Sequence, residues 1–218
     1  MMVCPMRLDE AAVPITLTLP KGVTNLATMV AARSGAAIDF AEAALRLRPS
    51  YQGLRGDSTP QGGFVEVRRN GLIWVGQELW PRSSTNGKGI DLEVLHRVVP
   101  TLLWFASASI QLVQYHGFAM LVLTISPTTG TALTSANVYR NLWGENKIAE
   151  DRLTFSLQVL TDDLLDRHAE LSEMFIVRIM QAYGLAIYEW KDAELQQTIG
   201  ALTGATKAIT GSSTTTPR

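Results

Sequence analysis

Polar and apolar positions alternate with period two over Val13–Leu19, where Ile15, Leu17 and Leu19 interleave with Thr16 and Thr18. That pattern predicts a half-buried strand, closed by Pro20-Lys21-Gly22. Thr24 or Asn25 can cap a helix over Leu26–Arg33, and Ile38–Leu47 reads as a second helix or an extended piece. Pro49 to Gly63 reads as loop, because Gly53, Gly56, Pro60, Gly62 and Gly63 leave little room for regular structure. The strongest local pattern follows. Phe64–Arg69 and Leu72–Val75 are alternating runs on either side of Asn70-Gly71, the pair suited to the positive φ angles of a type I′ turn, so a β-hairpin is predicted.

Pro81 to Gly89 reads as a second loop. Asp91 then caps a long helix to about His116, with Leu92, Leu95, Val99, Leu102, Leu103, Ala106, Ile110 and Val113 on one face and Pro100 as an expected kink or break. Phe118–Ile125 has strand composition, with a turn at Pro127–Gly130, while 132–143 is ambiguous. Leu153–Val159 alternates again. Thr161 is read as the cap of a last long helix to Tyr183, its first turn carrying Asp162, Asp163 and Asp166, with a short helix over 191–202 beyond it.

The elements run β-α-ββ-α-β-β-α. The expected fold class is α+β: a mostly antiparallel sheet of 13–19, 64–69, 72–77, 118–125 and 153–159, packed against long helices at 91–116 and 162–183. Residues 1–12 read as a disordered lead-in, 13–202 as a single domain, and the Thr/Ser/Gly-rich 203–218 as a disordered tail.

Composition sharpens this picture. Of 218 residues, 46% are apolar and 18% charged, which excludes a disordered chain and predicts a large core. The 19 Lys+Arg against 20 Asp+Glu give no global field to attract phosphate polymers, so nucleic acid is a disfavoured partner. From Val98 to Tyr139 no charged residue occurs, yet Pro100, Ser107, Ser109, Gln111, Gln114, His116 and Gly117 interrupt the run. A buried helix leading into a buried strand explains it better than a membrane span. The N-terminus meets charge and proline too early for a signal peptide, and the chain reads as cytoplasmic.

Catalytic chemistry is sparse. Cys4 is the single cysteine, and motifs of hydrolase serines or phosphate-cradling loops do not occur. His96 is expected to be exposed, His116 to act as a cation at a helix C-terminus, and His168 to be semi-buried and hydrogen-bonded; none is spaced with another His for metal binding. No metal, cofactor or self-contained catalytic centre is expected. Arg68, Arg69, Trp80 and Arg82 form the one place where base stacking and phosphate contact could coincide. Helix 91–116 is apolar nearly all round, so Leu103, Trp104, Phe105 and Ile110 are the candidate contact residues for a protein partner or a two-fold homodimer. The competing placement puts that helix at the centre of the fold.

The stretches Phe64–Ile73, Tyr115-His116-Gly117, Phe118–Ile125, Ile148–Leu153 and Met180–Leu185 have, in that order, a familiar layout. Residues 60–185 resemble the C-terminal region of bacterial, especially actinobacterial, ATP- or DNA-binding proteins of the Schlafen/Alba-like type. Met180 stands where that family has tryptophan, and Tyr183 replaces its phenylalanine. The resemblance implies an architecture. It carries no catalytic residue, because nothing in residues 1–60 matches the family's N-terminal binding domain with its Glu…Glu-Phe-Lys signature. The expected function is therefore a non-catalytic interaction or sensory module of a bacterial cytoplasmic protein. The alternative is weak nucleic-acid binding through the Arg/Trp patch.

Overall fold

A computed structural model describes residues 1–6, 19–34, 39–58, 62–79, 82–84, 87–135, 147–185 and 193–211. In chain order the elements are β1 (Met2–Pro5), α1 (Leu19–Ser34), α2 (Asp39–Leu45), β2 (Arg48–Ser50), β3 (Gly53–Asp57), β4 (Phe64–Arg68) and β5 (Ile73–Gly76). They continue with β6 (Arg82–Ser84), β7 (Gly87–Asp91), α3 (Leu92–Leu112), β8 (Phe118–Ile125), β9 (Thr131–Thr134), β10 (Leu153–Leu160), α4 (His168–Ala182) and α5 (Ala193–Gly211). The fold is α+β. Seven strands form an antiparallel sheet in the order β10-β8-β1-β5-β4-β3-β2, and β6-β7-β9 form a smaller sheet with β7 parallel to β9.

Helix α3 is the centre. Asp91 caps it as the sequence suggests, accepting a hydrogen bond from Glu93 N at 3.0 Å. Pro100 is accommodated inside one unbroken helix rather than ending it. One side of α3 meets β1 and β5 and the others meet α1, α4 and α5. Its apolar character all round is thereby satisfied within a single chain. Leu103, Trp104, Phe105 and Ile110 are fully buried, which removes them as a contact surface for a partner. The missing cover was α5: it extends to Gly211 through residues read as tail, and Thr206 accepts a hydrogen bond from Trp104 Nε1 at 2.9 Å.

Residues 1–6 of the expected lead-in are structured, and 7–12 lie outside the described residues. Met2–Pro5 is a central strand, pairing Val3 with Ile73 on one side and Leu121 on the other. Of the predicted strand 13–19, residues 13–18 lie outside the described residues, and Leu19 opens α1. Pro20 therefore sits in the first helical turn, where its missing N–H costs nothing. The Gly-rich loop 49–63 contains β2 and β3. Gly56 is needed there because α2 crosses so closely that an added Cβ would stand 2.0 Å from the Ala43 carbonyl oxygen. The second expected loop contains β6 and β7.

The hairpin forms with a different turn. Phe64 pairs with Gly76 and Val67 with Ile73, which leaves a longer loop than a type I′ turn requires. Gly71 N donates to Arg68 O (3.0 Å) and Arg68 N to Leu72 O (2.8 Å), while Gly71 alone has positive φ (82°). This is a type I turn followed by a glycine bulge. Thr161 caps no helix: a short 3-10 turn, Thr161–Asp163, precedes α4. Its buried hydroxyl instead bonds Tyr115 O and Gly117 N (2.9 and 3.1 Å), tying the end of α3 to the end of β10.

Candidate functional site

Side chains along each strand alternate between two faces. On the inner face of the large sheet, Val3, Leu54, Val65, Val67, Ile73, Val75 and Leu121 are buried beneath the helices. The registers carry the other set to the opposite face. Trp74, Met2, Val122 and Ser156 form one row across β5, β1, β8 and β10, and Met6, Phe118 and Leu160 form another. Several of these large apolar side chains stay open to solvent: Phe118 is 51% exposed, Met6 50%, Leu160 41% and Trp74 38%.

Toward β4 and β3 this face turns polar. Glu66 is almost fully buried, yet its carboxylate accepts from Arg68 Nε at 2.6 Å and lies 3.5 Å from Arg55. Arg55 also makes two hydrogen bonds to Asp57 (2.9 and 3.0 Å), and these, ahead of the charges of Asp57 and Glu66, push its pKa further up. Phe64 and Trp74 meet edge to face with centroids 4.9 Å apart. The two arginines serve to neutralise a buried carboxylate, a role that no local sequence pattern signals.

Of the four residues expected to contact nucleic acid, Arg68 belongs to this ion cluster and Arg69 is exposed at the hairpin turn. Trp80 lies outside the described residues, and so does the side chain of Arg82. Tyr51, 97% exposed in the turn between β2 and β3, is the aromatic residue that stands beside Arg68 and Arg69. Its isolation inside an apparent loop hid it from periodicity. His96 is buried rather than exposed, because it lies on a helix covered on all sides. His116 lies beyond the end of α3, with Nδ1 2.7 Å from Asp162 Oδ1, both side chains exposed. His168 is buried and hydrogen-bonded to Leu165 O at 2.7 Å. Among the described residues no group of three or more His, Cys, Asp or Glu could hold a metal ion.

A cavity of about 450 Å³ opens beside Met1 and Val75 at the end of the large sheet. Phe64, Trp74 and Thr124 line it from the solvent face, and Leu95, Val99 and Leu102 of α3 from beneath. A second cavity of about 340 Å³ shares the Gln77–Leu79 and Thr124–Ser126 walls and continues toward Ile90 and Thr131. Thr131 donates to Thr128 O at 2.6 Å, so the Tyr183 hydroxyl donates to Thr131 Oγ1 at 2.9 Å; burial raises the Tyr183 pKa.

No family model, no curated protein and no solved structure matches this chain. No helix among the described residues is long and apolar enough to cross a membrane.

Proposed function

We propose that this protein is a non-catalytic, cytoplasmic interaction module that engages its partner through the solvent face of the large sheet. The observation that carries this reading is the row Met6, Phe118 and Leu160, each large, apolar and at least two-fifths exposed on adjoining strands. Clustered exposure of this kind marks association surfaces, whereas scattered single residues do not. A second copy is the simplest occupant, since a two-fold axis lets one apolar face cover itself. The resemblance to Schlafen/Alba-like proteins contributes an architecture to this reading and no site residue.

Light scattering at micromolar concentration tests it. The unsubstituted chain should exceed the 23.8 kDa of one copy, and Phe118→Glu with Leu160→Glu should return it to that mass with an unchanged circular dichroism spectrum. A particle of one-copy mass in both forms overturns the self-association reading.

A second reading rests on Tyr51 beside Arg68 and Arg69: a stacking side chain next to two cations is the elementary unit of single-strand binding. Fluorescence anisotropy with a labelled oligonucleotide at two salt concentrations tests it. Binding through those cations weakens as salt rises, and Tyr51→Ala should abolish it.

A further inference from the structure

We propose that the outer edge of β10 pairs antiparallel with β10 of a second copy, about a two-fold axis at Leu157, running the two large sheets into one. β10 pairs with β8 from Leu153↔Ile125 to Leu160↔Phe118, and among the described residues no strand pairs with its other side. Main-chain groups along such a strand alternate between the neighbour and the outside. Thr161 N donates to Gly117 O on the β8 side, whereas Phe118 O accepts from Met6 N on the β1 side. Leu160, opposite Phe118, therefore points its main-chain groups away from β8, and by the same alternation so do Gln158, Ser156 and Thr154. Arg178 Nη1 reaches the outward Ser156 O at 3.5 Å, a long hydrogen bond that a strand N–H displaces.

The two edges of the sheet differ in kind. β2 is three residues long and carries Arg48 and Pro49, which blunt it, whereas β10 is eight residues without a charge, a glycine or a proline. The occupant that fits β10 is β10 itself. Placing Leu157 opposite Leu157 of the second copy sets Ser156 opposite Gln158 and Thr154 opposite Leu160, so outward groups meet outward groups along the whole strand. On the core-facing side Phe155 and Leu157 are only half-buried, because the layer they belong to ends at β10. In this register the two Leu157 side chains cover each other, and Phe155 is covered by Val159 of the second copy. Just past the strand ends, exposed Arg152 comes to the end of the second copy's strand where exposed Asp162 stands, and the axis repeats that opposite-charge pair. Eight residues a side fall short of the roughly 20–30 of a standard interface, so pairing sets in above the micromolar range. The edge and the open row of Met6, Phe118 and Leu160 are separate surfaces with separate variants, so either reading can fail alone.

Hydrogen exchange on the full chain, at micromolar and at millimolar concentration, is the first test. The outward Ser156 and Gln158 amides should exchange about tenfold more slowly at the higher concentration, while the Leu157 amide, held by β8, should be equally protected at both. Ser156→Pro removes an outward N–H and no bond to β8, so it should abolish the concentration dependence at Gln158 with the circular dichroism spectrum unchanged. Mild oxidation with oxidised glutathione is the second test, with the unsubstituted chain and its single Cys4 as the blank. Leu157→Cys should give a disulfide-linked dimer, because residue 157 faces itself across the axis; Thr154→Cys, far from its own copy in this register, should not. Exchange at Ser156 and Gln158 that does not depend on concentration overturns the proposal. So does cross-linking of Thr154→Cys to the same extent as Leu157→Cys.

Discussion

Replacing Phe105 with alanine separates a central helix from an interface helix. Phe105 is fully buried on α3, and its ring packs at 49° to that of Phe40 on α2, with centroids 4.9 Å apart. Truncating a core phenylalanine costs about 3–5 kcal/mol from lost transfer energy and the cavity left behind. Of this, the ring pair with Phe40 contributes about 0.5–1.5 kcal/mol. Total stabilities of about 5–15 kcal/mol make that a large fraction. At about 2–4 °C per kcal/mol for a domain of this size, the melting temperature should fall by about 6–20 °C. Urea and thermal denaturation followed by circular dichroism measure the loss, and light scattering on the same samples measures mass. A destabilisation below about 1 kcal/mol, in the range of a surface substitution, would refute the central placement of α3. A loss of stability that tracks dilution of the protein would refute it too, since a core residue acts within one chain.

Two further substitutions probe close packing and titration. Gly56→Ala forces a methyl group to within 2.0 Å of the Ala43 carbonyl oxygen, and the shift of α2 this demands should cost about 1–3 kcal/mol in urea unfolding. Tyr183 has its pKa raised in the fold, so its contribution is complete below the ordinary value of 10.0 and is lost as pH climbs through the folded value. Alkaline unfolding followed by tyrosinate absorbance should therefore show a stability decline beginning near that pH. Tyr183→Phe should remove this part of the decline at a cost of about 1 kcal/mol at neutral pH.

Elements whose signal is local were legible. Strand β8 stands where strand composition put it and β10 where alternation did, and the start of α3 was readable because Asp91 provides a side-chain acceptor in front of a long apolar run. The hairpin was readable too, although Asn70-Gly71 could not reveal that only Gly71 takes the positive φ. What stayed hidden depends on partners distant in the chain. Met2–Pro5 is too short for periodicity, and only pairing with β5 and β8 makes it a strand. The second half of helix α5, from Thr203 to Gly211, looked like a polar tail because its small residues carry little hydrophobic signal. Thr206 matters only through Trp104 on another helix. The same holds for the site. Arg68 and Arg69 could be named from sequence, but Tyr51, Glu66 and Trp74 join them only through the register of β2 to β5.

Strand β1 is also the seam of the large sheet. On one side of it lie β5, β4, β3 and β2, each hydrogen-bonded to its sequence neighbour; on the other lie β8 and β10. Each block can form from contacts made within a short stretch of chain, whereas Val3 must find Ile73 and Leu121 across long loops. Loop-closure entropy opposes that search until both edges are in place. The order of folding is therefore written into the topology: the β2–β5 meander and the β8–β10 pair first, then a four-residue zip that fuses them. Val3→Ala should accordingly speed unfolding far more than it slows folding.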